Sequence, residues 1–272
     1  MSFAVDAADR EPRFARFLEK SRVRRAIGVG SVFVAIILAW QFLLPLTGMP
    51  SYVVPSLEST LNALFDPRAL PIYLVNAAST LQVVFIGFAI GVGTGVIGAL
   101  VLARFPTAYA IVFPYVVAIE SLPKVAIAPL FVIWFGFGIE SKVVVVALLA
   151  VFPVLVSTIH GLRNVDPEQV DLFRSAGASE GQIRRKLLIP ASLPSLFSGL
   201  ELAVAASMIG AIVAEFVGAQ RGLGVLVLQA QGRMDTAAVF ALLIILSTIG
   251  IVLNVIVRLV RRKVVFWMPG ER

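Results

Sequence analysis

Cysteine is absent and histidine occurs once, at position 160. The first absence removes disulfide frameworks and thiolate metal sites; the second removes any cluster of imidazole ligands and leaves a Ser-His-Asp type of nucleophile with His160 as its one conceivable base. Charge is also scarce, because Asp, Glu, Lys and Arg make up 14% of the 272 residues, against about 25% in soluble domains. No G-x4-G-K-[ST] phosphate loop occurs, so the chain carries no Walker motif to hold ATP. What fills the sequence instead is apolar: 59% of residues are hydrophobic and the mean hydropathy is +0.95. That composition excludes an ordinary soluble globule, and the length suits six spans of about 20 residues without a large extramembrane domain.

Runs long enough to cross a bilayer lie near Ala26–Leu46, Ala77–Ala103, Ala108–Gly138 (long and interrupted), Val143–Ile159, Leu193–Gly218 and Ala237–Val260. Of the 23 Lys and Arg residues, Arg68, Lys142, Arg221 and Arg233 fall on one face of such a bundle and Lys124 falls inside a span; every other one falls on the opposite face. The positive-inside rule makes that basic face cytoplasmic, with both termini inside. The expectation is an all-α integral membrane protein: a cytoplasmic tail, residues 1–25, then a six-helix domain, residues 26–272, with a cytoplasmic loop at 160–191. The first apolar run is too long for a signal peptide and lacks a small-residue cleavage site after it, so it reads as a retained anchor. The tail itself mixes basic and acidic residues and reads as an arm facing lipid headgroups or as a partner site.

The loop between the fourth and fifth spans carries unusually complete punctuation. Asp166 suits an N-cap, Pro167 sits at the first helical position, and Val165 with Val170 can form a hydrophobic staple. Gly177 can take the left-handed conformation that closes this helix, after which Ser179 and Gln182 have capping-box spacing for a second helix that stops before Pro190. Each helix is too short to hold its shape alone in water, so it needs a docking surface, either the bundle's own end or another protein. A plain connector is the bland alternative. A DNA-binding helix-turn-helix is excluded because the second helix runs on into an apolar span.

Asp171-Leu172-Phe173, then Gly177, then Leu187, Ile189 and Pro190 follow the spacing E-A-A-x3-G-x9-I-x-L-P. The chain thereby resembles the permease subunits of bacterial ATP-binding-cassette importers. Leu122-Pro123-Lys124, Ala128-Pro129-Leu130, Trp134-Phe135-Gly136-Phe137-Gly138, Phe152-Pro153, Ala214-Glu215-Phe216 and Gly222-Leu223-Gly224 extend the likeness, which looks closest to the nitrate, sulfonate and taurine branch. Asp replaces Glu, Leu and Phe replace the two alanines, and a ring at Phe173 requires a deeper recess in the partner. The resemblance implies a type I importer permease fold in the inner membrane and a small, anionic solute. It also implies a second permease copy, two cytoplasmic ATPase subunits that hold ATP and magnesium, and an external binding protein. The loop residues Asp171, Leu172, Phe173, Ser175, Ala176, Gly177, Ala178 and Ser179 would then couple to the ATPase.

Charged residues inside spans need a partner or water, at about 2.5–3.5 kcal/mol each at the bilayer centre. Glu120 and Lys124 are four residues apart and could pair, but Pro123 between them favours a kink or break, which a membrane tolerates only against protein or a watery cavity. Glu120, Ser121, Pro123 and Lys124 are therefore expected beside the path, with an intrahelical ion pair as the alternative. Glu201 faces either the cavity or a second copy. Glu215 is expected near the outer end of its span, in a gate, against a binding protein or simply solvated. Gly87, Gly91 and Gly95 form a groove for close helix contact. Gly93-x-Gly95-x-x-Gly98 has the dinucleotide-binding pattern but lies within an apolar span, where no water-facing helix terminus exists, so nucleotide binding there is rejected. Seven tryptophans and tyrosines (Trp40, Trp134, Trp267, Tyr52, Tyr73, Tyr109 and Tyr115) read as interfacial anchors. The rival classes are an ATP-independent secondary transporter or channel and, within the favoured class, a permease for thiamine-pyrimidine or riboflavin-like precursors. A membrane-embedded enzyme is disfavoured by the scattered ionisable residues.

Overall fold

The computed structural model describes residues 28, 30–43, 46 and 48–267. The expectations for the tail, residues 1–25, fall outside them, as does part of the first expected span. The chain divides into two units, residues 1–62 and 63–272.

In the first unit, α1 (Gly30–Phe42) is apolar but short and ends in a wide π turn, Ala39–Leu43. The Trp40 indole donates to the Pro55 carbonyl at 3.0 Å. Helix α2 (Leu57–Leu64) starts where the Ser56 hydroxyl accepts from the Ser59 N–H at 3.1 Å, a local N-cap.

The second unit is built from α3 (Leu70–Arg104), α4 (Pro106–Glu120), α5 (Lys124–Phe135), α6 (Ile139–Arg163) and α7 (Pro167–Ser175). It continues with α8 (Glu180–Gly218), α9 (Leu223–Gly232) and α10 (Thr236–Val264). Of these, α3, α6, α8 and α10 are long and apolar enough to span a membrane. The third expected span is two helices: α4 and α5 meet at 92° across residues 121–123. Pro123 lacks the N–H that an unbroken helix needs, and its ring pushes the preceding residue out of the helical region.

Helix α6 lies at the centre, with α3 packed along one side and α8 along the other. Close approach is what these contacts share. A Cβ on Gly87 would sit 2.5 Å from Val146 Cβ, one on Gly91 2.7 Å from the Ala147 carbonyl oxygen, and one on Gly95 2.8 Å from the Val151 oxygen. On the other side Gly161 meets Ser195 and Ser192, and Gly199 meets Pro153 and Ser157. Without an apolar-versus-water driving force in lipid, such backbone proximity supplies the van der Waals contact that holds helices together. The opposite face of α3 presents Phe85, Ile86, Ile90 and Ile97 outward, all exposed, as a lipid-facing surface permits.

The second loop helix does not stop before Pro190. It continues through Pro190 as a single helix to Gly218, with a π turn at Arg184–Leu188 in which the Ile189 N–H donates to the Arg184 carbonyl five residues back. The wider turn makes room for the proline ring and absorbs the missing donor. Helix α9, between the last two long helices, was not among the expected elements; its Leu223, Gly224, Val227 and Ala230 are buried.

Candidate functional site

The loop after α6 forms a sharp corner. Asp166 caps α7 by accepting from the Glu168 N–H at 2.9 Å, and Pro167 begins the helix as its position requires. At the other end the Ala178 N–H donates to the Phe173 carbonyl (3.0 Å) and the Gly177 N–H to the Arg174 carbonyl (2.9 Å), the paired bonds of a Schellman closure. Gly177 has φ +76°, the left-handed conformation that costs glycine least. Ser179 and Gln182 then form a reciprocal capping box at the start of α8. Arg174 bridges the corner, reaching Asp171 at 3.4 Å and Glu180 at 3.1 Å. These charges are exposed, so they orient the corner more than they stabilise it.

Most of the loop's outward surface is free. Asp171, Ser175, Ala176, Gly177 and Ser179 are exposed and Leu172 is 66% exposed, while Phe173 and Ala178 are half-buried. An exposed leucine in a polar loop, on a helix capped at both ends, has the character of a docking face.

At the break between α4 and α5, Glu120, Ser121 and Pro123 are exposed and Lys124 is half-buried. Lys124 does not pair with the Glu120 carboxylate. Its ammonium donates to the Glu120 backbone carbonyl at 3.0 Å and lies 4.6 Å from the centroid of the Phe152 ring. It therefore covers the carbonyl end of α4, where the helix dipole favours a cation, and two of its three N–H donors stay available.

Glu201 and Glu215 are both engaged with other helices. Glu201 accepts from Arg258 at 3.3 Å and from Arg261 at 3.4 Å, clipping α8 to the end of α10. Glu215 is 1% exposed, which overturns the solvated reading. Its carboxylate accepts from the Thr80 hydroxyl at 2.8 Å and the Gly224 N–H at 2.7 Å. Thr80 Oγ1 in turn accepts from the Leu223 N–H at 2.9 Å, and Asn76 Oδ1 from the Gly222 N–H at 2.8 Å. The first N–H groups of α9 are thus satisfied by side chains of α3 and α8. Gly222 has φ +140°, and a Cβ there would collide with the Glu215 carboxyl. Sequence reasoning passed over Asn76 and Thr80; their trace was a polar patch, Asn76, Ser79, Thr80 and Gln82, near the start of a largely apolar helix. His160 is exposed beside the Asn164 amide, 2.8 Å from Nε2, and among the described residues no group of metal-ligating side chains assembles.

Residues 91–266 match the model of the family described as "Binding-protein-dependent transport system inner membrane component". The chain belongs to this family. Permeases similar to it include the formylaminopyrimidine transport permease protein ThiX of Halalkalibacterium halodurans, 34% identical over 80% of this chain and 87% of that protein. The putative aliphatic sulfonates transport permease protein SsuC of Bacillus subtilis is 32% identical over 67% of this chain and 66% of its own length. Among solved structures, an inward-facing form of the MetNI methionine ABC transporter superposes with a TM-score of 0.64 at 18% identity, covering 73% of this chain and 98% of that one. The permease accordingly has the type I importer fold and is a multi-pass inner-membrane transport component.

Proposed function

We propose that this permease lines the path of an ATP-driven importer for a small anionic solute of the nitrate, sulfonate or taurine kind, and that a separate ATPase drives it through the corner at Gly177. The observation that carries the coupling role is that corner: the short helix α7, capped at both ends, meets the capped start of the long helix α8 at Gly177, with Asp171, Leu172, Ser175 and Ser179 exposed. With the basic face cytoplasmic, both termini and this corner lie inside the cell, ATP and magnesium belong to the partner subunits, and a second permease copy completes the path. An external binding protein delivers the solute to the opposite face. Driving requires that the corner bind the ATPase differently in its two states, since equal affinity for both shifts nothing.

The anionic solute is supported by Lys124 at a helix break, with two N–H donors to spare and exposed polar backbone around it, and by the sulfonate relative. The break at Glu120, Ser121, Pro123 and Lys124 is assigned to the path wall; Glu201 holds α8 against α10, and Glu215 fixes α9 at the outer end. A second reading, a neutral pyrimidine precursor, is favoured by the formylaminopyrimidine relative. Co-purification with the binding protein, followed by identification of the retained ligand, separates the two. Uptake in proteoliposomes with and without the ATPase tests the driving force: transport at full rate without the ATPase, or its collapse by uncouplers alone, refutes the proposal in favour of a secondary transporter.

A further inference from the structure

Only four basic residues fall on the sparsely charged face, and two of them, Lys142 and Arg221, line one cavity of about 510 Å³. The cavity is walled by Ser79 and Gln82 of α3, by Phe137 and Gly138 ahead of α6, and by Gln220 of the turn before α9. Its size is that of a small-molecule site. Lys142 is 8% exposed, yet among the described residues its ammonium makes no hydrogen bond or close ion pair. Its stem is packed among the helices while the ammonium opens into the cavity, where it keeps donors for an incoming acceptor. Glu215 is a longer-range counter-charge, whose two oxygens accept from Thr80 and Gly224 rather than from Lys142. Glu140, two residues before Lys142, is exposed, lies outside the lining and folds its carboxylate back over Gly138. The polar part of the lining is thus two cations, a hydroxyl and two amides, beside the apolar Val83, Phe137 and Ile139.

We propose that this cavity is an outer oxyanion site, in which Lys142 and Arg221 hold a singly charged sulfonate or carboxylate head and Ser79, Gln82 and Gln220 complete its hydrogen bonds. It rests on the anionic-solute reading and adds a second station, distinct from the helix break at Lys124. An ammonium opening into the cavity and a loop guanidinium lining the same space give the charge-assisted bonds that an oxyanion needs.

The test uses the full chain in nanodiscs of phosphatidylcholine, with methanesulfonate as probe and saturation-transfer NMR of its methyl protons as readout. Saturable binding is expected, weakened about tenfold or more by Arg221→Gln and by Lys142→Gln and unchanged by Arg233→Gln, an exposed basic residue outside the lining, while neutral dimethyl sulfone gives no saturable signal. Arg221 is on an exposed turn, so its variant stays interpretable even if loss of Lys142 disturbs folding. Absence of saturable binding, wild-type binding by Arg221→Gln, or an equal loss by Arg233→Gln each overturns the outer site. None of these outcomes touches the ATP dependence of uptake, which separately decides whether the permease reading stands.

Discussion

Substituting Gly177 isolates the corner from everything else in the molecule. A Cβ at Gly177 meets nothing within 4 Å, so alanine there creates no clash, and its whole effect comes from holding φ at +76°. For an L-residue that conformation costs about 1–2 kcal/mol, which lowers the population of the closed corner by about 5- to 30-fold. Proline is more severe, because it fixes φ near −65° and removes the N–H that donates to the Arg174 carbonyl. Asparagine tolerates the left-handed region better and belongs between glycine and alanine. The spans do not depend on this residue, so all three variants are expected to insert and to purify with unchanged helicity. The assay is ATP hydrolysis and solute uptake measured together in proteoliposomes containing the ATPase and the binding protein. Uptake per ATP hydrolysed is expected to fall in the order Gly, Asn, Ala, Pro, with Gly177→Pro uncoupled. Normal ATP-dependent uptake by Gly177→Pro would refute the argument that the corner's geometry carries the force.

Gly91→Leu is expected to force α3 from α6, since even a Cβ sits 2.7 Å from the Ala147 oxygen; overpacking of this kind costs about 1–3 kcal/mol or more, read as a lower thermal midpoint in detergent. Gly93→Leu, where nothing lies within 4 Å, is the matched control and should hold the wild-type midpoint. Glu215→Gln turns one carboxylate oxygen into a donor facing Thr80 or Gly224, and an unmatched buried group costs about 1–3 kcal/mol; a midpoint equal to wild type would show that the lock on α9 carries no weight. Glu201→Ala removes the shared acceptor of Arg258 and Arg261; Glu201 and Arg261 are only 21% and 24% exposed, so a loss of about 1–3 kcal/mol, read as a lower thermal midpoint, is expected from leaving the partly buried Arg261 without this acceptor.

The long helices and the corner were legible because their signals are local. Apolar runs of spanning length, a proline one residue after an acceptor side chain, and a serine three residues before a glutamine each act within one or two turns of the chain. Pro190 misled because proline usually ends a helix, and the π turn that accommodates it, at Arg184–Leu188, has no comparable sequence mark. The assembly around Glu215 was illegible for a different reason. Thr80 and Glu215 are 135 positions apart, and nothing in the apolar pattern of either helix states that they meet. Glu201 posed the same problem: its partners, Arg258 and Arg261, read from the sequence as part of a basic face, a pattern that does not say what they hold.

Where the polar groups sit bears directly on which parts of this permease can move. Helices α3, α6 and α8 touch backbone to backbone at glycines, and such contacts give way only by separating, so the three are expected to travel as one body. Side-chain hydrogen bonds instead hold three joints: the break at residues 121–123, the corner at Gly177, and the start of α9. The bonds at each joint, such as Lys124 to the Glu120 carbonyl, can be exchanged one at a time, whereas sliding a glycine groove forfeits many contacts at once. Force entering at Gly177 should therefore tilt the α3–α6–α8 body and be absorbed at the other two joints. Crosslinks between α3 and α6 across Gly91 and Ala150 are accordingly expected to leave uptake intact, while a crosslink immobilising the start of α9 against α3 should stop it. The reverse pattern would place the moving boundary inside the helix body and break the mechanical assignment.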